Sequence, residues 1–238
     1  MADRKIYPAR AGYLSAEAVE KYARRSRRRN AAEARLLDRL LEDAPPPGKV
    51  RPTALDAPCG AGRLAADLKE KGWEVTVLDI STAMLLRGRG DGRTAAAVAG
   101  EMERLPFREG AFDLVVCWRF FHHLPTRGLR VAVLAELARV SRGWVILSFF
   151  HPLSLHNAAR RLRGMFSGRK GNRFPCSRAF LAREARGLGL LPRRWIAQGP
   201  CLRDLGAVLF EKVEGRPPRA PRGPREGNGR PPPSGDGS

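Results

Sequence analysis

Two aspartates and two glycines form the part of the sequence best suited to binding a charged ligand. Residues 55–63 read LDAPCGAGR, in which Asp56 ends an apolar run and Gly60 and Gly62 follow in a turn. A carboxylate there can meet a cationic amino group and would repel a pyrophosphate. Asp79 ends the next apolar run, where an acid can accept hydrogen bonds from ribose hydroxyls. We expect the backbone N–H groups from Gly62 onward to face an anionic part of the ligand.

The four histidines are the side chains best suited to removing a proton. His122 and His123 follow one apolar segment, and His151 and His156 follow another. Because histidine titrates near neutral pH, His151 and His122 are candidates for a catalytic base. A His-His-Leu turn with one ring packed and one exposed would explain the first pair without any catalytic role. No ligand spacing on one helix supports a metal site.

The elements that must position these residues are predicted from hydrophobic patterning. After the prolines at 45–47, short β-like runs alternate with helical ones, which is typical of an α/β fold with a mostly parallel sheet and helices on both faces. Strands are predicted over 53–57, 74–78, 95–98, 112–117, 144–149, 192–197 and 206–213. Helices are predicted over 62–71, 81–87, 128–140 and 177–187. Since parallel strands end at one edge of a sheet, the aspartates and histidines should lie at that edge.

One α/β domain, residues 48–213, is predicted between two extensions. The first extension, residues 1–47, contains a helix that can begin at Ser15 and that the prolines at 45–47 must end. Within it, leucines repeat at helical spacing: Leu36, Leu37, Leu40 and Leu41. The second extension, residues 214–238, is dominated by Pro, Gly and Arg and is expected to be disordered.

The net charge of +20 is concentrated in two segments. Residues 1–30 carry nine basic and three acidic side chains, and residues 151–195 carry eleven and one, so these segments hold 16 of the 20 net charges. This distribution predicts a positive surface on one part of the fold, although an ordinary solvated basic surface is the alternative. Residues 151–176 form a basic insertion that also contains leucines, Met165 and Phe166. Such a mixture suits an acidic acceptor or an anionic membrane surface.

Composition also bears on the compartment of the protein. No stretch approaches the roughly 20 apolar residues of a membrane-spanning helix, and the first thirty residues carry charges where a signal peptide would be apolar. The four cysteines are widely spaced and form no CxxC pair, so we interpret them as reduced thiols. A cytoplasmic location is therefore expected.

Three further blocks follow the glycine turn in order: GEMERLPF over 100–107, FDLVVC over 112–117 and FHHLP over 121–125. With these blocks, the chain from about Thr53 to Phe150 resembles a class I S-adenosylmethionine-dependent methyltransferase of the methyltransferase type 11 group. The resemblance implies a Rossmann-like, mostly parallel, seven-stranded sheet. It also implies an enzyme that transfers a methyl group from S-adenosyl-L-methionine.

The resemblance assigns cofactor contacts by position. It implies Asp56, Gly60 and Gly62 at the methionine end and Asp79 at the ribose. The remaining implied contacts are Ile80, Glu101 and Met102 around the adenine and Cys117 at the end of the fourth strand. Two residues depart from the usual pattern: Pro58 stands where glycine is common, and Glu101 stands where aspartate is usual. Proline is compatible with the turn if no positive φ is needed before Gly60.

The acceptor is less constrained than the cofactor. The His-His-Leu-Pro block resembles small-molecule methyltransferases, so the leading hypothesis is a small-molecule or lipid-like acceptor, and an anionic one would suit the basic insertion. An RNA methyltransferase using segments 1–30 and 151–195 is the alternative, although only 7% of residues are aromatic. Residues 60–65 also fit the GxGxxA pattern of nicotinamide-dependent oxidoreductases. A non-catalytic adenosylmethionine-binding regulator is a further hypothesis, and no obligate protein partner is indicated.

Overall fold

The computed structural model describes residues 27–45, 48, 51–92, 96–152, 173–198 and 205–213, with the side chains of 27–30 excluded. Helices and strands alternate along these ranges. The helices are α1 (Arg27–Leu41), α2 (Arg63–Glu70), α3 (Thr82–Gly90), α4 (Arg127–Val140) and α5 (Arg178–Gly187), with a short 3-10 helix over Phe121–His123. The strands are β1 (Thr53–Asp56), β2 (Glu74–Asp79), β3 (Ala96–Ala99), β4 (Phe112–Cys117), β5 (Ser141–Phe150), β6 (Leu190–Ala197) and β7 (Leu205–Lys212).

The strands form one seven-stranded sheet in the order β3-β2-β1-β4-β5-β7-β6. The first five strands in this order pair in parallel, while β7 runs antiparallel to both of its neighbours. This arrangement confirms the predicted Rossmann-like, mostly parallel sheet. In register, Asp56 lies beside Val77 of β2 and Val116 of β4, so Asp56 and Asp79 both end at the carboxyl edge of the sheet.

Alternate residues of the central strands pack into two separate apolar layers. Leu55 and Val115 belong to the layer that also holds buried residues of α4 and α5. Ala54 and Leu114 belong to the opposite layer, with buried residues of α1, α2 and α3. The sheet is therefore covered on both faces, which explains why all six residues of β4 are buried.

Local signals account for several element boundaries. The hydroxyls of Ser81 and Ser177 accept hydrogen bonds from the backbone N–H groups of Met84 (3.4 Å) and Phe180 (3.1 Å), which caps α3 and α5. Gly72 has a φ of 86° just after α2, as expected for a residue that ends a helix. Helix α1 buries the four leucines that repeat at helical spacing in the second apolar layer, the one that holds Ala54 and Leu114.

Several element boundaries differ from the prediction by one to three residues, and one of the largest differences has a clear cause. Strand β5 begins at Ser141 rather than at Trp144, although the intervening residues Arg142 and Gly143 are not typical of a strand. The extension is stabilised by tertiary contacts, because Arg142 makes two hydrogen bonds of 2.6 and 2.7 Å to the carboxylate of Asp113 on β4. Long-range pairing has overridden local propensity here.

Some predicted features lie outside the described residues. They are the helix start at Ser15, most of the basic insertion, His156 and the tail over 214–238. Among the residues that are described, no helix combines the length and the apolar character needed to cross a membrane.

Candidate functional site

Asp56 ends β1 as a buried carboxylate. Its side chain is 1% exposed, and its Oδ2 atom has no hydrogen-bond partner among the described residues. Burial raises the pKa of Asp56 from 3.8 to about 7, although the nearby guanidinium of Arg63 opposes the rise and the Asp79 and Asp67 carboxylates add to it. A buried polar atom without a partner is costly and uncommon in native proteins. Asp56 is therefore well placed to accept a hydrogen bond from a cationic ligand group.

Arg63 is the first residue of α2 and supplies the complementary group. Its Nε atom is also buried and has no hydrogen-bond partner within the part of the chain that the structure describes. The side chains of Asp56 and Arg63 line one small cavity of about 10 Å³, which is the space of about one water molecule. The other lining residues are Pro58, Cys59, Leu64 and Trp118. An acceptor and a donor in one cavity match the two ends of an amino-acid zwitterion.

Asp79 ends β2 and holds the glycine loop in place. Its Oδ2 atom accepts a hydrogen bond of 2.8 Å from the Gly60 N–H, and its Oδ1 atom accepts one of 2.9 Å from the Ser81 N–H. Burial raises the pKa of Asp79, while the hydrogen bonds from these backbone N–H groups act in the opposite direction. Each carboxylate oxygen can accept more than one hydrogen bond, so Asp79 retains acceptor capacity for a hydroxyl.

The glycine loop differs from its sequence interpretation at one atom. The Gly62 N–H donates to the Cys59 carbonyl over 3.1 Å, so the expectation that this N–H faces an anion is wrong. The cause is the tightness of the turn, in which Gly60 and Gly62 have φ values of 57° and 68°. No positive φ is recorded at Pro58, so the condition under which proline fits this loop is met.

Two of the predicted adenine-side residues, Glu101 and Met102, precede a segment that α4 holds, and the third, Ile80, directly follows β2. Met102 is buried, while Ile80 and Glu101 are half-buried. Glu136 of α4 accepts a hydrogen bond of 2.7 Å from the Leu105 N–H. Arg139 of the same helix donates hydrogen bonds to the Leu105 and Phe107 carbonyls over 3.0 and 2.7 Å. It also pairs with Glu136 at 2.8 Å. Together these contacts fix residues 105–107 against α4. Sequence reasoning missed Glu136 and Arg139.

Cys117 ends β4 at the same edge of the sheet. Its side chain is completely buried, and burial, with a smaller contribution from the Asp56 charge, raises the pKa of the Cys117 thiol. A thiol in such surroundings is not a nucleophile. The part that Cys117 can play in the site is therefore one of packing.

The described histidines lie beyond the ends of β4 and β5, as predicted. His122 is 2% exposed and its ring stacks on Phe150, with ring centroids 3.9 Å apart and an interplanar angle of 12°. The His123 ring is half-buried, with its centroid 4.1 Å from that of His122. His151 follows β5 directly and is half-buried. Of the two base candidates, His151 is the more accessible to an acceptor.

Two guanidinium groups lie near the ring of Phe150. The Cζ atoms of Arg119 and Arg173 lie 5.8 and 5.3 Å from the centroid of this ring. Arg119 has a φ of 56°, which is uncommon for a residue with a side chain, and its N–H donates to the Ser148 hydroxyl over 2.6 Å. Strain of this kind persists where surrounding contacts enforce it, often at functional sites. The edge near the histidines thus carries positive charge.

Glu33 connects helix α1 to the start of α2 and to the loop that follows β4. Its carboxylate is 2% exposed and accepts hydrogen bonds from Arg63 Nη2 at 3.0 Å, Arg119 Nη1 at 2.9 Å and Trp118 Nε1 at 3.2 Å. Sequence reasoning missed Glu33, because one acid within the arginine-rich helix carries no local signal of its distant partners.

Comparison with known proteins agrees with this geometry. Residues 54–143 match the family model described as a methyltransferase domain. These residues hold β1 to β4, the glycine loop, both aspartates and helix α4. Residues 54–143 are therefore similar to a methyltransferase domain.

Individual relatives share this region. A demethylmenaquinone methyltransferase of Beutenbergia cavernae is 39% identical over 37% of this chain and 35% of its own length. A malonyl-[acyl-carrier protein] O-methyltransferase of Erwinia pyrifoliae is 36% identical over 47% of this chain and 41% of its own length. The chain thus spans less than half the length of the curated relatives it matches.

A solved structure extends the likeness of the fold beyond the matched region. The magnesium protoporphyrin IX methyltransferase of Synechocystis PCC 6803, crystallised with bound SAH, superimposes with a TM-score of 0.69. This alignment covers 84% of the present chain and 97% of that protein at 18% sequence identity, which is a likeness of fold.

Proposed function

We propose that this protein binds S-adenosyl-L-methionine and transfers its methyl group to a small-molecule or lipid-like acceptor that carries an anionic group. The observation that carries the first part is a pair of buried side-chain atoms without hydrogen-bond partners among the described residues, on two residues that line one cavity. Asp56 Oδ2 is suited to the ammonium of the cofactor's amino-acid end, and Arg63 Nε is suited to its carboxylate.

The remaining cofactor contacts are proposed from position in the fold. Asp79 has acceptor capacity for the ribose hydroxyls, and Ile80, Glu101 and Met102 are proposed around the adenine. A dinucleotide is disfavoured because its pyrophosphate would meet the Asp56 carboxylate, and the Gly62 N–H is already bonded within the turn. Because the cavity has room for about one water, it must widen to admit an amino-acid group.

The protein's contribution to the reaction is mainly alignment and proton removal. The bound sulfonium supplies an activated methyl group, so no protein nucleophile is needed. The residues of the site would have to hold the acceptor's oxygen or nitrogen in line with that methyl group. The proton of that oxygen or nitrogen passes to a base, for which His151 is the first candidate and His122 the second.

An anionic acceptor is favoured by the charges beyond β4 and β5. The guanidinium groups of Arg119 and Arg173 lie 5.8 and 5.3 Å from the centroid of the Phe150 ring, on which His122 stacks, and guanidinium groups recognise carboxylates and phosphates. The relatives named for demethylmenaquinone and malonyl-[acyl-carrier protein] support an acceptor other than nucleic acid. The RNA alternative would have to depend on segments 1–30 and 151–195, most of which lie outside the described residues.

Two measurements test this proposal. Calorimetry with S-adenosylhomocysteine is expected to show binding, whereas NADH is expected to show none. Incubation with methyl-labelled S-adenosylmethionine and a fractionated lysate should place the label in small anionic metabolites or lipids. Tight NADH binding without S-adenosylhomocysteine binding, or label that enters only RNA, would refute the corresponding part of the proposal.

A matched pair of variants tests the anionic acceptor. Arg173→Gln should raise the KM for the labelled acceptor about tenfold or more, because a hydrogen bond to a charged group is lost, while cofactor affinity stays unchanged. Arg178→Gln removes an equal charge from a residue stacked on Trp195, with Arg178 Cζ 5.6 Å from that ring, and serves as the control. An equal KM in both variants would exclude Arg173 from acceptor recognition.

A further inference from the structure

We propose that Glu33 is a positioning residue for the amino-acid end of the cofactor, acting from helix α1 through Arg63 and Trp118. This inference rests on the proposed binding of adenosylmethionine. It adds a residue that lies outside the matched region 54–143 and that touches no proposed cofactor atom itself.

The argument begins with the shape of the arginine side chain. A guanidinium group is planar and offers its donors in a fixed fork. Glu33 accepts a hydrogen bond of 3.0 Å from Arg63 Nη2, which fixes one arm of that fork. The Nε atom of the same group is buried, and Arg63 lines the cavity that Asp56 also lines. Glu33 thus determines which Arg63 donor remains available for a ligand.

Glu33 also competes with Asp56 for Arg63. The Arg63 guanidinium is close enough to lower the pKa of Asp56 against the effect of burial, yet its hydrogen-bonded carboxylate partner is Glu33. If Glu33 were neutral, Arg63 would be drawn towards the Asp56 carboxylate. A direct pair between Asp56 and Arg63 would then use the two groups that the zwitterion requires.

The same carboxylate also contacts a second residue that lines the cavity. Trp118 lines that cavity, and its indole Nε1 donates to Glu33 over 3.2 Å. Arg119, the next residue, pairs with Glu33 at 2.9 Å. One side chain on α1 therefore contacts two residues that line the cavity, one at the start of α2 and one directly after β4.

The test compares two ligands that differ in the amino-acid end. S-adenosylhomocysteine carries this end, and 5′-methylthioadenosine lacks it. In Glu33→Gln, the affinity for S-adenosylhomocysteine should fall about tenfold or more, while that for 5′-methylthioadenosine should change less than about threefold. Asp38→Asn is the matched control, because it removes an equal charge from the same helix at an exposed pair with Lys71. This control should leave both affinities unchanged.

The outcomes separate Glu33 from the wider proposal. Equal losses for both ligands, or no loss for either, would overturn the positioning role. Failure of the wild-type protein to bind S-adenosylhomocysteine would instead overturn the proposed function. If Glu33→Gln does not fold, Arg63→Lys decides, because lysine keeps the charge but lacks Nε–H and the planar fork. Arg63→Lys should show the same selective loss, and unchanged selectivity in that variant would refute the inference.

Discussion

Replacing Asp56 with asparagine is expected to stabilise the folded protein while abolishing cofactor binding. The pKa of Asp56 rises from 3.8 to about 7 through burial, so ionising this carboxyl in the folded protein costs about 4 kcal/mol at about 1.4 kcal/mol per pKa unit. An asparagine at this position carries no charge, but burying its amide costs about 1–3 kcal/mol. The net gain at pH 8 is therefore about 2 kcal/mol, or about 6 °C in Tm for a chain of this size.

The gain should depend on pH in a defined direction. Because the folded protein holds the Asp56 proton more tightly than the unfolded chain, its free energy of unfolding falls as pH rises from 3.8 to about 7 and is level above that. The stability of Asp56→Asn relative to the wild type should therefore change by about 4 kcal/mol, from a gain of about 2 kcal/mol at pH 8 to a loss of about 2 kcal/mol near pH 4. Urea unfolding at the two pH values measures this difference, and calorimetry with S-adenosylhomocysteine measures the loss of binding.

Asp79→Asn provides the matched comparison at the next strand end. Both Asp79 oxygens accept hydrogen bonds from backbone N–H groups, and an amide NH₂ cannot replace a carboxylate oxygen in that role. Asp79→Asn should therefore be less stable than Asp56→Asn by about 1–3 kcal/mol at pH 8. If Asp56→Asn were no more stable than the wild type at pH 8, the assignment of Asp56 as an uncompensated buried acid would be wrong.

Three further predictions follow from described contacts. The affinity for S-adenosylhomocysteine should fall about tenfold per pH unit below about 7, because the ligand ammonium requires ionised Asp56; a flat calorimetric profile from pH 5 to 8 would contradict this. Arg139→Lys should raise the KM for the cofactor severalfold with little change in kcat, because the hydrogen bonds of Arg139 to the Leu105 and Phe107 carbonyls are weakened. Unchanged steady-state kinetics in this variant would show that Arg139 does not position the adenine-side segment. Gly143→Ala should destabilise the fold by about 1–3 kcal/mol, because the new Cβ would lie 2.7 Å from the Asp113 carbonyl oxygen. Gly128→Ala should not destabilise it, because a Cβ at this position on α4 meets no atom within 4 Å. Denaturant unfolding of the two variants tests this difference.

The sheet was predictable because its signals are local and repeated. Strand β4 was predicted with its observed bounds, since a six-residue run buried on both faces is continuously apolar apart from Asp113. The position of Asp56 and Asp79 at one edge follows from parallel pairing, which places the ends of successive strands together. Their assignment as cofactor contacts stays a prediction.

The contacts that complete the candidate site were not predictable, because each joins residues far apart in sequence. Glu33 is 85 residues from Trp118 and 86 from Arg119, and no periodicity connects them. Arg139 is 34 residues from Leu105 and was indistinguishable from any other basic residue near a helix end. The early start of β5 at Ser141 has the same origin, since its support comes from Asp113 on another strand.

Helix α1 has a consequence for recombining this protein with its relatives. Glu33 precedes residues 54–143, the region that matches the family model, yet it accepts a hydrogen bond from Arg63 inside that region. A chimera that keeps residues 54–143 but takes its leading helix from one of these relatives would contain Arg63 and Trp118 without the Glu33 carboxylate that accepts their hydrogen bonds. A segment of this protein that is transplanted into a relative should therefore begin before α1, so that it contains both Glu33 and residues 54–143.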